Sequence, residues 1–265
     1  IDVVQALMHS CDIFFYRFLI AYIGIWAISP KHLFADNLKD ELWLVAGGVF
    51  GGSLYFFTEN TALGITQASN VAFIICTAPL LTTILSLLFY KSEKATKGLI
   101  YGSLLALIGV GLVVFNGSVV LKLSPVGDLL TLLAALSWAF YSLVIKRMTG
   151  RYPTVFITRK IFFYGVLTIL PAFLLHPLQP DFDVLLQPLV LSNLLFLAVL
   201  ASLICYILWN VVLKQLGTMR ASNYIYLNPL VTMVASVLIL HEQITWITLM
   251  GAACIILGVY LAEKK

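Results

Sequence analysis

Nine apolar runs, each about as long as a bilayer is thick, follow one another with scarcely a polar residue to spare between them. They are Ile13–Ser29, Leu42–Leu63, Thr66–Tyr90, Gly98–Phe115, Val126–Ile145, Val155–Leu175, Leu189–Leu213, Ala221–Leu240 and Ile244–Ala262. A helix needs about 20 such residues to cross the hydrocarbon core. In lipid every backbone N–H and C=O must find a partner inside its own segment, so runs of this kind become helices. Only 11% of the 265 residues are charged, which is too few to clothe a water-soluble surface of this size. The chain is therefore expected to be an all-α polytopic membrane protein. Ile1–His9 is too short to span and reads as the stub of a first helix that is largely missing from this chain. Ten helices are expected in the parent protein.

The cations orient the bundle. With the C-terminus placed inside, twelve lysines and arginines (Lys31, Lys39, Lys91, Lys94, Lys97, Lys146, Arg147, Arg151, Lys214, Arg220, Lys264 and Lys265) fall in inside loops and ends, and Lys122 alone falls outside. Positive charge gathers on the cytoplasmic side, so both termini are expected in the cytoplasm. The same scatter over short loops gives no basic face for nucleic acid. Arg17, Arg159 and Lys160 lie within spans.

The sequence also repeats itself. Asn60-Thr-Ala-Leu63 matches Asn210-Val-Val-Leu213, and Pro79 matches Pro229 at the same shift of 150. Thr82 and Ser86 then fall on Thr232 and Ser236, and after a one-residue slip Glu93 falls on Glu242, Gly102 on Gly251 and Gly109 on Gly258. Arg17 in FFYRF has a looser counterpart in Arg159 of FITRK. Residues 1–117 form one five-helix repeat, with its first helix truncated, and 118–265 the other. An odd number of helices per repeat forces the two to insert with opposite topology. Inverted repeats are a transporter architecture, with substrate held near the midplane between them.

Three stretches carry a family likeness: TALGITQASNVAFIICTAPLLTTILSLLFYKSE, VLKQLGTMRASNYIYLNPLVTMVASVLILHEQ and SWAFYSLVIKR. With them the chain resembles the EamA-type ten-helix transporters of the drug/metabolite transporter superfamily, over nearly its whole length. The resemblance implies a carrier for small metabolites in a bacterial inner membrane, often an amino-acid exporter. It does not imply which substrate.

The candidate site residues are the polar and aromatic side chains of the matched spans. Gly47, Gly51, Tyr55 and Glu59 form one stripe on the second of the nine runs, widened by Gly48 and Gly52, and read as the start of a polar path. Glu59 is either a proton-coupling carboxylate and anchor for a substrate ammonium, or an interfacial residue capping the next turn. A charge within a span costs about 2.5–3.5 kcal/mol at its centre, which is why such a residue draws attention. Asn60 and Asn210 occupy matching places, and each either contacts substrate or ties helices together. Tyr206 and Trp209 precede Asn210 on its helix. Asn223, Tyr224, Tyr226 and Asn228 crowd the approach to Pro229, as Asn70 and Thr77 do that to Pro79. Both prolines are expected to kink their helices, and a kink beside polar side chains suits a cavity wall. Trp138 and Tyr141, one turn apart, either wall an apolar substrate or pack a core. Arg17 and Arg159 are expected to snorkel to headgroups, or to pair with Asp12 and backbone carbonyls, rather than to bind anions. Gly102 with Gly109, and Gly251 with Gly258, mark close helix packing, within each half or between protomers.

Four separated cysteines and four isolated histidines make no metal or catalytic cluster, and no Walker motif, phosphate loop or HExxH appears. No cofactor, no metal and no enzymatic activity is expected. The partners expected are a small-molecule substrate and the lipid bilayer, for a monomer or homodimer. The remaining alternatives are an integral-membrane lipid-handling protein or a non-transporting membrane subunit.

Overall fold

The computed structural model describes residues 8–30, 33–90, 94–115, 124–174, 177–178, 182–240 and 245–264. The first-helix stub, Ile1–His9, lies mostly outside the described residues, as do Lys31, Lys91, Glu93, Lys122, His176, His241, Glu242 and Lys265.

Among the described residues nine long helical stretches follow one another and no strand occurs. They are α1, Ser10–Ile28; α2, Leu38–Gly48 continued by Val49–Ser53 and Leu54–Leu63; α3, Ala68–Ile75 and Ala78–Phe89; α4, Lys97–Phe115; and α5, Pro125–Thr149. Then come α6, Thr154–Ile169 with a 3-10 end Leu170–Leu174; α7, Pro188–Leu195, Phe196–Ile204 and Cys205–Leu216; α8, Thr218–Asn223, Tyr224–Leu227 and Asn228–Leu240; and α9, Trp246–Glu263. A short helical turn, Phe182–Leu185, sits between α6 and α7. Seven of these are long and apolar enough to cross a membrane by length and composition. Helices α2 and α8 are not among the seven.

The interruptions are paired. Val49–Ser53 in α2 and Phe196–Ile204 in α7 are both π-helical. Moved by the repeat shift of 150, the first lands inside the second. Each π-turn carries one residue more than an α-turn and twists the side chains that follow it to a new bearing. The prolines behave in parallel too. In α3 the helix stops at Ile75 and resumes at Ala78, with Pro79 in the first turn of the new segment, where its missing N–H costs nothing. In α8 a 3-10 stretch, Tyr224–Leu227, immediately precedes the segment that carries Pro229. The helices enter α8 from α7 through Gly217, whose φ of 80° is open to glycine at no steric cost.

The chain packs as two compact units, and these are cut differently from the sequence halves. One unit comprises residues 1–60 and 140–215, the other residues 61–139 and 216–265. The first therefore holds α1 with its counterpart α6, and α2 with its counterpart α7. The second holds α3 with α8 and α4 with α9.

The second unit is organised on α4 and α9. Gly102 faces Gly258 and Gly109 faces Gly251, so the two helices run antiparallel at backbone contact. Around them Cys76, Ala106, Val110, Tyr226, Ile255 and Val259 make a buried apolar core. Close packing was expected at these glycines, but within a half or between protomers. It occurs instead between the last helix of each half, inside one chain. Inverted repeats bring equivalent helices together antiparallel, and a motif present once in each then packs against its own copy.

Candidate functional site

In the first unit the glycine face of α2 is filled rather than open. A Cβ on Gly51 would collide with the Tyr141 ring, one on Gly47 with Ile161, and one on Gly48 with Tyr164 and the Gly165 backbone. The stripe expected to begin a polar path is thus a docking face for neighbouring helices up to Gly52. Beyond it the face becomes polar. Tyr55 Oη donates to Glu59 Oε1 at 3.0 Å, one helical turn on. Both side chains are partly buried.

Arg17 of α1 reaches this region. Its Nε donates to Ser202 Oγ of α7 at 2.9 Å, and its guanidinium lies 4.6 Å from the centre of the Phe56 ring. The guanidinium interacts electrostatically with Glu59 and with the hydroxyls of Tyr55 and Tyr206. Arg17 therefore turns inward to Ser202 and the Phe56 ring, where snorkelling to headgroups or pairing with Asp12 and backbone carbonyls was expected. Ser202 belongs to the π-helical segment of α7, which is why it could not be placed on a helix face by regular spacing. Arg159, the looser counterpart, is 2% exposed and donates to the Ser29 carbonyl at the end of α1.

Deeper in the same unit, Tyr206 Oη donates to the Gly51 carbonyl within the π-helical turn of α2. Tyr141 Oη donates to Asn210 Oδ1 at 2.7 Å, and Asn210 Nδ2 donates to Thr158 Oγ1 at 2.9 Å. Tyr141 and Asn210 are both 0% exposed, so these polar groups join α5, α6 and α7. Asn60 and Trp209 belong to this unit and are half-buried.

At the other end of α2 lies a charge cluster that the sequence reasoning missed. Asp40, 1% exposed, accepts from Arg151 at 2.8 and 2.9 Å, from Tyr152 at 3.0 Å and from the Asn37 amide at 2.9 Å. The hydrogen bonds from Arg151 hold its carboxyl below the usual range, against a smaller upward push from burial. Beside it Glu41 pairs with Lys160, accepts from Tyr164 and from the Ala35 N–H, and Lys160 also donates to the Leu33 carbonyl at 3.1 Å. Lys160 is 3% exposed and lies against the Phe34 and Tyr164 rings, 4.9 and 4.8 Å from their centres. A cation inside a span needs such company, and Arg159-Lys160 near the start of an apolar span was the signal that could have pointed to it.

The remaining candidates sit in the second unit. Asn70 is buried at the start of α3, and Thr77 spends its hydroxyl on the Ile74 carbonyl at 2.7 Å, inside the helix break. Asn223 is 0% exposed and accepts from Ser103 Oγ of α4 at 2.8 Å. Ser86 and Thr218 share a hydrogen bond of 2.9 Å between α3 and α8. Tyr224 and Asn228 are exposed on α8, and Trp138 is half-buried on α5.

The profile of the EamA-like transporter family matches residues 2–115 and again residues 125–263. The chain belongs to the EamA-like transporter family. A protein of Archaeoglobus fulgidus described as an uncharacterized transporter is 28% identical over 255 residues, 95% of this chain and 86% of that protein. A probable amino-acid metabolite efflux pump of Salmonella typhimurium is 27% identical, covering 88% of this chain and 80% of the pump. The Escherichia coli protein of that same description is 23% identical over 239 residues. A solved crystal structure shares the fold with a TM-score of 0.80 over 99% of this chain and 90% of its own, at 17% identity. An EamA transporter with seven such apolar helices is a multi-pass membrane protein.

Proposed function

We propose that this chain is a secondary carrier that exports an amino acid or a related small metabolite by alternating access across a bacterial inner membrane, with both termini in the cytoplasm. The observation that carries the reading is the carboxylate of Glu59, hydrogen-bonded to Tyr55 and within electrostatic reach of Arg17, in a family of transporters. Ionisable groups inside a span are expensive and are kept for substrate or ions. Two relatives described as probable amino-acid metabolite efflux pumps favour the substrate class. The twelve-to-one distribution of loop cations favours the orientation.

In this reading Glu59 faces the translocation route and takes either a proton or the ammonium of the substrate. Tyr55, Asn60 and Trp209, half-buried in the same compact unit, are the remaining contacts proposed for the substrate. Tyr141, Tyr206 and Asn210 support them by joining α2, α5, α6 and α7. The test is uptake into proteoliposomes from a panel of free L-amino acids, with and without a pH gradient, by the unaltered chain and by Glu59→Gln. Uptake that Glu59→Gln abolishes or uncouples from the gradient supports the reading. Uptake of none, or an unchanged Glu59→Gln protein at every pH, overturns it.

A further inference from the structure

Arg17 and Glu59 are opposite charges within one compact unit that do not close on each other. Among the described residues no ion pair within 4.0 Å joins them, and each is held by neutral partners instead. Arg17 uses Nε on Ser202, at 2.9 Å, and lays its guanidinium against Phe56. Glu59 uses Oε1 on Tyr55, at 3.0 Å. Among the described residues, the two Nη atoms of Arg17 and Oε2 of Glu59 make no hydrogen bond. A guanidinium presents five N–H donors in a rigid fork that matches a carboxylate, and here its bonded edge fixes the plane while its terminal edge stays available.

Holding a cation and an anion apart in an apolar environment is costly. Tyr206 does not bridge the two charges, because its hydroxyl is committed to the Gly51 carbonyl. Rings wall the place: Phe14 and Phe18 lie 5.3 and 5.7 Å from Phe56, and Phe18 lies 5.7 Å from Tyr206. Such walls exclude water and strengthen any charge that enters between them. An amine alone would leave the Arg17 fork unused. An anion alone would meet Glu59 as a like charge. A headgroup bearing both charges satisfies each.

We infer that Arg17 and Ser202, facing Glu59, form a site for a dipolar headgroup, with the substrate carboxylate on the terminal nitrogens of Arg17 and the substrate ammonium on Glu59. The assignment rests on the carrier reading and narrows its substrate class to compounds carrying a free carboxylate and a free ammonium. Ser202 is a positioning residue that sets the plane of the guanidinium.

The experiment is calorimetric titration of the purified full chain in detergent with each free L-amino acid. The tightest is then compared with its methyl ester, its decarboxylated amine and its N-acetyl derivative. The ester, the amine and the N-acetyl compound are each expected to bind at least about tenfold more weakly, the size of one lost charge-assisted hydrogen-bond pair. In Arg17→Gln the advantage of the acid over its ester disappears, while in Glu59→Gln the advantage over the N-acetyl form disappears. Ser202→Ala weakens the acid several-fold and leaves the ester unchanged. Equal affinity of the unaltered chain for acid and ester overturns the site, and so does discrimination that survives in Arg17→Gln. The ester comparison needs no variant, so it decides even where Arg17→Gln does not fold. Uptake of an amino acid in proteoliposomes without this discrimination leaves the carrier reading standing. Uptake and binding of none removes both.

Discussion

Gly258 has no room for a side chain because the Gly102 carbonyl oxygen occupies the space: a Cβ built on Gly258 meets it at 2.6 Å and meets the Ala106 amide nitrogen at 2.5 Å. The obstruction is backbone on a facing helix and cannot swing aside as a flexible side chain would. The same holds one repeat of the motif away, where a Cβ on Gly109 meets the Gly251 carbonyl oxygen at 2.6 Å. Without a hydrophobic drive between helices in lipid, it is this closeness that binds α4 to α9.

Gly258→Ala tests the point against a competing effect. Alanine gains up to about 1 kcal/mol of helix propensity over glycine, whereas overpacking a rigid contact costs about 1–3 kcal/mol. With backbone as the obstacle the cost prevails. Thermal unfolding in detergent, followed by tryptophan fluorescence, is expected to show a midpoint several degrees lower. Gly150→Ala, where a Cβ meets nothing within 4 Å, is the control and is expected not to fall. Equal midpoints for the two variants would remove the argument.

Asp40 makes stability depend on pH in one direction. Its folded pKa is depressed from the ordinary 3.8 by the Arg151 hydrogen bonds. A depressed carboxylate contributes stability that is fully present above the unfolded pKa and is lost as pH falls through the folded one. The unfolding midpoint of the unaltered chain should therefore be level toward neutral pH and drop below about pH 4. Asp40→Asn should start lower at pH 7 and show a shallower acid drop. A parallel pair of curves would show that Asp40 is not the group responsible.

How much of this was legible in the sequence follows from what hydropathy and spacing encode. The apolar runs and the internal repeat were plain, because lipid imposes length and the two halves kept Asn60/Asn210, Pro79/Pro229 and the glycine pairs in register. The interruptions before Pro79 and Pro229 were legible as kinks, since proline removes a donor wherever it stands. The partner of each glycine was not, because a small-residue motif says that something comes close without saying what. The π-helical turns were invisible: an i to i+5 hydrogen bond leaves no mark on residue type. They shift the bearing of everything after them, so the meeting of Arg17 with Ser202, and of Tyr206 with Gly51, could not be found by counting at 3.6 residues per turn. The inward partners of Arg17 are hidden in the sequence for the same reason, since they come from helices with π-helical turns.

Tyr141 and Asn210 should be coupled. Both are fully buried, and the amide is shared between the Tyr141 hydroxyl and Thr158. Tyr141→Phe leaves Asn210 Oδ1 without that donor, and Asn210→Leu leaves two hydroxyls without the amide. The unsatisfied Asn210 Oδ1 costs about 1–3 kcal/mol. The double variant replaces both partners by apolar groups and should cost less than the sum of the singles, by about 0.5–3 kcal/mol in a double-mutant cycle. Strict additivity would mean that the 2.7 Å contact does not hold α5 to α7.

Tyr206 ties one interrupted helix to the other. It lies two residues beyond the π-helical segment of α7, and its hydroxyl donates to the carbonyl of Gly51 in the π-helical segment of α2. Turns with irregular hydrogen bonding open more readily than regular ones, and a side-chain donor on such a carbonyl raises the cost of opening. Tyr206→Phe keeps the ring that packs 5.3 Å from Phe162 and 5.7 Å from Phe18, and removes only the hydroxyl. Hydrogen exchange measured by mass spectrometry on peptides covering residues 49–56 should then accelerate by about tenfold, the equivalent of one net hydrogen bond near 1.4 kcal/mol. Peptides from α4 and α9, which belong to the other compact unit, should exchange as before. Acceleration spread evenly over both units would show global loosening, and no acceleration at 49–56 would show that the α2 turn holds without Tyr206.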